Sequence, residues 1–173
     1  MTEPDFAAVV PRLRRYARAL VGDAHHADDL VQDALARGWE KRHLWVPDTD
    51  LRAWLFTIMH NVHVNQVSAR ARQGRTESLD ADPEAAHPAR DIPVRPQQSD
   101  RLEVADVWRQ IERLPVEQRE VLVLVAIEEM RYEQVASVLQ IPIGTVMSRL
   151  SRARERLRRF LADPAAPALR AVK

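Results

Sequence analysis

The sequence has no cysteine among its 173 residues, which excludes a disulfide framework, a thiolate metal site and a cysteine nucleophile. Long apolar stretches are also missing. The longest strictly apolar run, VLVLVAI, has seven residues, far short of the roughly 20 that cross a bilayer. The first residues, MTEPDF, are acidic and lack the apolar core of a signal peptide. We therefore expect a cytoplasmic protein with no membrane insertion.

Glycine is scarce as well, with four residues, and runs of β-branched residues are short. Alanine, leucine, arginine, glutamate and glutamine dominate instead, and most of these are strong helix formers. The composition predicts an all-α fold. It changes sharply over residues 74–100, which hold four of the eleven prolines and show no helical apolar period. We predict two small helical domains, residues 3–72 and 101–162, joined by a flexible linker over residues 73–100.

Apolar spacing predicts three helices in the N-terminal unit, over residues 6–20, from the capping Asp23 onward, and over 51–72, with a loop at 43–50. In the C-terminal unit it predicts a helix through Val104 to Ile111 and a buried helix from Val116 to about Ile127. A short helix, Tyr132 to Leu139, a turn over 140–144 and a final helix follow. This order is that of a helix-turn-helix.

The final helix is amphipathic and basic. Six of the eleven residues from 149 to 159 are arginine, against one glutamate. At 100° per residue its apolar residues fall on one side: Val146, Leu150, Ala153, Leu157, Phe160 and Leu161. The opposite side and one flank carry hydroxyl groups and arginines: Ser148, Ser151, Arg152, Glu155 and Arg159, with Thr145, Arg149 and Arg156 on the flank. Such a face suits base edges and phosphates in the major groove.

Two other interpretations were weighed for charged residues. The basic face of the final helix could be only solvated, with Glu128, Glu129 and Glu133 as surface partners for its arginines. His60 and His63 have an i,i+3 spacing, which alone does not make a metal site. No nucleophile–base pair, glycine-rich phosphate loop or pair of catalytic carboxylates stands out. We expect no enzyme activity, no metal and no cofactor.

Three segments resemble a known family. YEQVASVLQIPIGTVMSRLSRARERLR resembles region 4 of a bacterial sigma-70 family factor of the extracytoplasmic-function (ECF, group 4) class. ADDLVQDALARGWEK is similar to region 2.2, and LRAWLFTIMHNVHVNQ to regions 2.3 and 2.4. The resemblance implies a transcription initiation factor that binds core RNA polymerase, directs it to promoter DNA and is regulated by an anti-sigma factor.

The resemblance also assigns residues. It implies duplex reading at the −35 element by Thr145, Ser148, Arg149, Ser151 and Arg152, with Arg154 and Arg156 on phosphates. It implies contacts at the melted −10 element from Asn61, Asn65, Trp54, Arg70 and Arg72, with the loop at 43–50 setting preference. For Trp54, a core role is the stronger alternative. The acid–amide patch of Asp29, Gln32 and Asp33 would dock on polymerase. Relatives often carry a basic residue where this chain has Met147, which can touch a thymine methyl but donates no hydrogen bond.

Two other functions are compatible with part of the sequence. One is a stand-alone helix-turn-helix regulator, which leaves the N-terminal resemblance unexplained. The other is a sigma mimic, an adaptor that binds an anti-sigma factor and needs neither a basic recognition face nor Asn61.

Overall fold

The computed structural model describes residues 5–77 and 99–162, with side chains over 5–72 and 106–160. Within those ranges the regular secondary structure is helical and contains no strand, as the composition predicts. The predicted flexible linker lies largely outside the described residues. The helix that precedes it continues to Glu77, five residues beyond the predicted end at Arg72. The predicted domain border therefore falls inside a helix.

The N-terminal unit consists of α1 (Phe6–Val21), α2 (Ala24–Glu40), a 3-10 turn (Arg42–Leu44) and α3 (Leu51–Glu77). The carboxylate of Asp23 accepts a hydrogen bond from the His26 amide and caps α2 as predicted. Gly22 ends α1 in the left-handed conformation, with φ of 74°. The three helices bury one apolar stripe each, so that Leu13, Tyr16, Leu30, Phe56 and Met59 form the centre of the unit.

Gly38 lets α2 and α3 approach each other closely. A Cβ placed on Gly38 would lie 2.8 Å from Cδ2 of the buried Leu55, so a side chain there requires the core to move. This contact fixes the distance between α2 and α3. Those two helices carry the predicted polymerase-docking and −10-reading residues.

The C-terminal unit consists of α4 (Ser99–Glu112), α5 (Val116–Leu122), a π-helical segment (Val123–Ile127), α6 (Tyr132–Leu139) and α7 (Ile143–Ala162). The prediction of one α-helix from Val116 to Ile127 is wrong for its last five residues, which widen into the π segment. The short α6 has the predicted bounds. After it, Gln140 adopts a left-handed conformation and α7 begins at Ile143, inside the predicted turn.

The two units pack against each other. α1 contacts α5 and the π segment, and α3 contacts α6, so the buried cores of both units form one cluster. Among the described helices, none is both long and apolar enough to cross a membrane. The placement of the two units, which the sequence left open, brings α3 close to the helix-turn-helix.

Candidate nucleic-acid and polymerase interfaces

The final helix α7 is oriented as its periodicity predicts. Val146, Leu150 and Ala153 are buried against the rest of the C-terminal unit, and Leu157 and Phe160 are partly buried. The side chain of Leu161 lies outside the described residues. Amides of Thr145 and Val146 donate to the carbonyl of Pro142, which closes the first turn. The apolar stripe therefore holds the opposite face toward solvent.

That opposite face presents hydroxyl and guanidinium groups at the start of α7. Ser148, Ser151 and Arg152 are exposed, and Thr145 is half-buried. The Ser148 hydroxyl donates to the Thr145 carbonyl at 3.1 Å, which leaves its lone pairs directed outward. Arg154 and Arg156, the predicted phosphate contacts, are also exposed. This surface combines donors for base edges with positive charge.

Arg149 differs from its neighbours on α7. Its side chain is 21% exposed, and its guanidinium lies 3.3 Å from the Glu117 carboxylate and 3.6 Å from the Glu120 carboxylate, both on α5. The helical phase places Arg149 on the flank of α7. This flank faces α5, where two carboxylates bind the guanidinium. The structure therefore gives Arg149 a pairing role inside the unit and leaves Arg152 as the exposed arginine in the first half of α7.

Met147 is 49% exposed at the start of α7. With Tyr132 from α6 it lines a shallow groove whose other walls are Leu150, Ser151, Arg154 and Arg158. A flexible thioether beside a hydroxyl and two arginines suits van der Waals contact with a base methyl group.

The predicted docking patch forms a continuous exposed surface on α2. Asp29, Gln32 and Asp33 are all exposed. Asp33 accepts a hydrogen bond at 2.7 Å from the side-chain amide of Gln66 on α3, and Asp29 lies 3.2 Å from Nδ1 of His25. Gln66, which the sequence did not single out, thus binds one carboxylate of the predicted docking patch.

The predicted −10 residues lie on α3 at different depths. Asn61 is half-buried, whereas Asn65, Arg70 and Arg72 are exposed. Nε of Arg72 donates to the Ser68 carbonyl at 3.2 Å. Asn61 lies before the midpoint of α3, and Asn65, Arg70 and Arg72 lie beyond it.

Trp54 at the start of α3 is partly buried and stacks on Phe6 of α1, with ring centroids 6.4 Å apart and an interplanar angle of 24°. This contact favours the packing role. Another indole, that of Trp39, is exposed instead, and the Arg42 guanidinium lies 4.6 Å from its ring centroid. Trp39 stands at the end of α2 beside the loop at 43–50, where Leu44 and Val46 are exposed. The sequence did not distinguish these two indoles, because both fit an apolar helical stripe.

His60 belongs to a buried polar cluster. Its Nδ1 lies 3.4 Å from the Tyr16 hydroxyl and 3.6 Å from Oε2 of Glu120. Burial raises the pKa of Tyr16, and the nearby Glu120 adds to this, so the phenol keeps its proton and donates to Nδ1. Burial, with smaller contributions from the charges of His63 and Arg149, lowers the pKa of His60. His60 is therefore neutral at pH 7, and its contact with Glu120 is not an ion pair.

Glu120 is 6% exposed, and burial raises its pKa to about 7, even though the Arg149 charge opposes the shift. In the described part of the chain, no three or more histidine, cysteine, aspartate or glutamate side chains cluster in a way that could hold a metal. The sequence missed Glu120 because its partners Tyr16 and His60 belong to the other unit.

Glu128 differs from the sequence-based alternative that makes it a surface partner for arginines of α7. Its side chain is fully buried. It is bound instead by Arg12 and Arg15 of α1. Burial of a carboxylate requires charge partners, and those of Glu128 are more than 100 residues away in the sequence, although Arg131 is only three residues away.

Comparisons with known proteins fit this geometry. Residues 6–60 match the family described as the Sigma2 domain of PhyR, and residues 105–157 match sigma-70, region 4. The ECF RNA polymerase sigma factor EcfG of Rhodopseudomonas palustris (strain TIE-1) is 37% identical over 157 residues, which cover 91% of this chain and 83% of that protein. The RNA polymerase sigma-H factor of Pseudomonas aeruginosa is 34% identical over 147 residues, which cover 82% and 76% of the two chains.

A solved structure is also similar. The sigma factor RpoE from Bartonella quintana, in complex with the anti-sigma factor NepR, superposes with a TM-score of 0.72 at 32% identity, covering 88% of this chain and 91% of that one. Sigma-factor domains match both the N-terminal and the C-terminal part of the chain. The two sigma factors above, which are 37% and 34% identical to it, align over 83% and 76% of their own length. The chain therefore belongs to the ECF class of RNA polymerase sigma factors.

Proposed function

We propose that this sigma factor reads its promoter with two faces and docks on core polymerase with a third. The observation that carries the proposal is the exposed row of Ser148, Ser151 and Arg152 at the start of α7, on a helix whose opposite face is buried through Val146, Leu150 and Ala153. Arginine binds a guanine edge through two parallel hydrogen bonds, and serine serves a base or a phosphate. In this proposal α7 enters the major groove of the −35 element, with Arg154 and Arg156 on phosphates.

The −10 element is assigned to α3 and the loop at 43–50. Asn61 and Asn65 carry amides, which suit the edges of flipped or unstacked bases. The exposed Trp39 beside the loop adds a flat surface on which a base can stack. Trp54 packs beneath this surface, where its ring stacks on Phe6 of α1. Arg70 and Arg72 lie further along α3, where they would meet the sugar–phosphate backbone.

The third face, on α2, would bind the largest subunit of core polymerase through Asp29, Gln32 and Asp33. Its exposure supports this role, and so does the Gln66 amide, which holds Asp33 at 2.7 Å. Catalysis of RNA synthesis belongs to the polymerase, so the chain supplies recognition and no chemistry of its own. Such a factor works in the cytoplasm, where polymerase and promoters are found.

Regulation by an anti-sigma factor is part of the proposal. The similar RpoE from Bartonella quintana forms a complex with the anti-sigma factor NepR. That likeness covers 88% of this chain and 91% of the other, which supports a similar partner here. We expect the partner to compete with polymerase or DNA for the faces described above.

The test is reconstitution. The purified chain is added to core polymerase with a genomic template, and transcript starts are sequenced. We expect starts at a defined set of promoters that share −10 and −35 elements. Core polymerase without the chain is the control. A lack of chain-dependent starts, together with binding to an anti-sigma factor, would favour the adaptor. Tight sequence-specific binding to duplex DNA by the free chain would favour a stand-alone regulator.

Arg152→Ala is expected to cost roughly 1–3 kcal/mol of promoter-binding free energy and to relax preference at one −35 position. The reason is that Arg152 is an exposed arginine on the base-facing side of α7. Holoenzyme binding to promoters with single −35 changes measures both effects. Arg159→Ala is the matched control, since Arg159 pairs with Glu155 near the other end of the helix. Unchanged promoter selection by Arg152→Ala would refute its assignment. Arg149→Ala is measured beside it, because the sequence assigns Arg149 to DNA whereas its contacts are with α5.

A further inference from the structure

A shallow groove lies between α6 and α7, beside the exposed row at the start of α7. Tyr132, the first residue of α6, lines it from one side. Its other lining residues come from α7: Met147, Leu150, Ser151, Arg154 and Arg158. Apart from the buried Leu150, these α7 residues are exposed and recur at spacings of three or four, so they form one stripe of the helix. The groove therefore opens to solvent along the helix that is proposed to enter the major groove.

The two ends of this stripe differ in chemistry. Met147 lies near the start of α7, and the guanidinium groups of Arg154 and Arg158 follow about two and three turns further along. Among the described residues that line the groove, none carries a carboxylate. DNA is therefore attracted to this stripe by its two arginines. Because the N-terminal residues of a recognition helix contact base edges, the arginines suit phosphates and Met147 suits a base.

Exposure of one apolar side chain does not by itself indicate a ligand, because single apolar residues are common on protein surfaces. The position of Met147 is what distinguishes it. Its neighbour Ser148 belongs to the row that is proposed to read base edges, and Ser151 follows Met147 by one turn. A helix seated with Ser148 and Arg152 against base edges brings Met147 against an adjacent base pair.

The thioether of Met147 favours one chemical feature of the major groove. It donates no hydrogen bond and accepts only weakly, so it gains little from the polar edges of guanine, adenine or cytosine. The C5-methyl group of thymine is the apolar feature of the major-groove edge, and a flexible, polarizable side chain adapts to its shape. Cytosine at the same place would direct its N4 amino group at a surface that offers this donor no good acceptor.

We propose that Met147 is a specificity-determining residue that reads the C5-methyl group of one thymine in the −35 element, with the Tyr132 ring as the other wall of the groove. This inference rests on the proposed function and adds a base preference to it. Ser148 and Arg152 read polar edges, and Met147 supplies the apolar part of the recognition. One position of the −35 element is then thymine because of its methyl group.

Deoxyuridine tests this assignment, because it keeps every hydrogen-bonding group of thymidine and lacks only the methyl group. The promoters are those that the transcript starts identify, and each thymidine of the −35 element is replaced in turn on either strand. Equilibrium binding of holoenzyme to each duplex is measured. We expect one replacement to lower the affinity of the wild type about fourfold, the effect of one apolar carbon losing its contact. The same replacement is expected to leave the affinity of Met147→Ala unchanged.

Met147→Leu is the matched control, since leucine keeps an apolar side chain of similar size and is expected to keep the effect of deoxyuridine. The reciprocal substitution adds the methyl group to another base. At the same position, 5-methyldeoxycytidine is expected to bind the wild-type holoenzyme about fourfold more tightly than deoxycytidine, with no such gain for Met147→Ala. Met147 is 49% exposed, so its replacement leaves the core of the unit intact.

Two results would overturn the assignment while leaving promoter-specific initiation in place. One is a scan in which no thymidine of the −35 element responds to loss of its methyl group. The other is equal sensitivity to deoxyuridine in wild type and in Met147→Ala, which would assign the effect to the DNA itself. An absence of promoter-specific starts with the wild type would instead refute the proposed function, and this inference with it.

Discussion

A double charge reversal on α2, Asp29→Lys with Asp33→Lys, is expected to lower the affinity for core polymerase by roughly 1,000-fold, or about 4 kcal/mol. Both carboxylates are exposed one helical turn apart and form one side of the proposed docking patch. In the proposed complex, the reversal would remove two charge pairs with polymerase and replace attraction with repulsion. Asp33→Lys also loses the hydrogen bond from the Gln66 amide. Equilibrium binding of the labelled chain to core polymerase measures the change.

The matched control is Asp28→Lys with Glu40→Lys, which changes the net charge by the same amount on the same helix. Both control residues are exposed, and Asp28 pairs with Arg14 of α1 rather than with a residue of the patch. Equal losses of affinity in the two double variants would show that general charge, and not the patch, governs binding.

The helices were predictable from the sequence because their signals are local. Asp23 accepts the His26 amide of its own helix, and the buried stripe of α7 follows from spacing within twenty residues. The sequence did not predict the π segment that follows α5, for one local and one distant reason. The β-branched Val123 and Val125 favour neither helix type strongly, and the π segment is completed by Glu128, whose partners are on α1.

The side chains that the sequence misplaced have partners far along the chain. Arg15 and Glu128 are separated by 113 residues, and Tyr16 and His60 by 44. The helical periodicity places Arg149 on a flank of α7, but it does not determine whether this flank faces water or the acids of α5. Packing between helices decides each of these cases, between the two units for Arg15 and within one unit for Tyr16 and Arg149. No periodicity within one helix contains that information.

Glu120→Gln is expected to remove about 3 kcal/mol of pH-dependent stability between pH 4.5 and pH 8. Burial raises the pKa of Glu120 from 4.5 to about 7, so the folded chain holds this proton more tightly than the unfolded chain. The stabilisation is complete below pH 4.5 and is lost as the pH rises through 7. Charged or titratable groups surround Glu120 on four helices: Tyr16 on α1, His60 on α3, Glu117 and Arg119 on α5, and Arg149 on α7.

His60 contributes in the opposite direction, because its lowered pKa means that the unfolded chain takes up its proton first as the pH falls below 6.5. The difference in unfolding free energy between wild type and Glu120→Gln reports Glu120 together with its coupling to His60, because His60 is present in both chains and lies 3.6 Å from the carboxylate. Urea unfolding at pH 5, 6, 7 and 8 measures the difference. The free energy of unfolding of the variant is expected to rise relative to that of the wild type as the pH rises, since glutamine stays neutral, whereas the buried glutamate must ionise with only partial compensation from Arg149 and Arg119. Glu117→Gln, which removes the exposed partner of the same Arg149, should keep most of the wild-type dependence, because burial is the largest cause of the raised pKa of Glu120 and the Glu117 charge is a smaller one. A difference between wild type and Glu120→Gln that stays constant across this range would show that Glu120 ionises as freely in the folded chain as in the unfolded one.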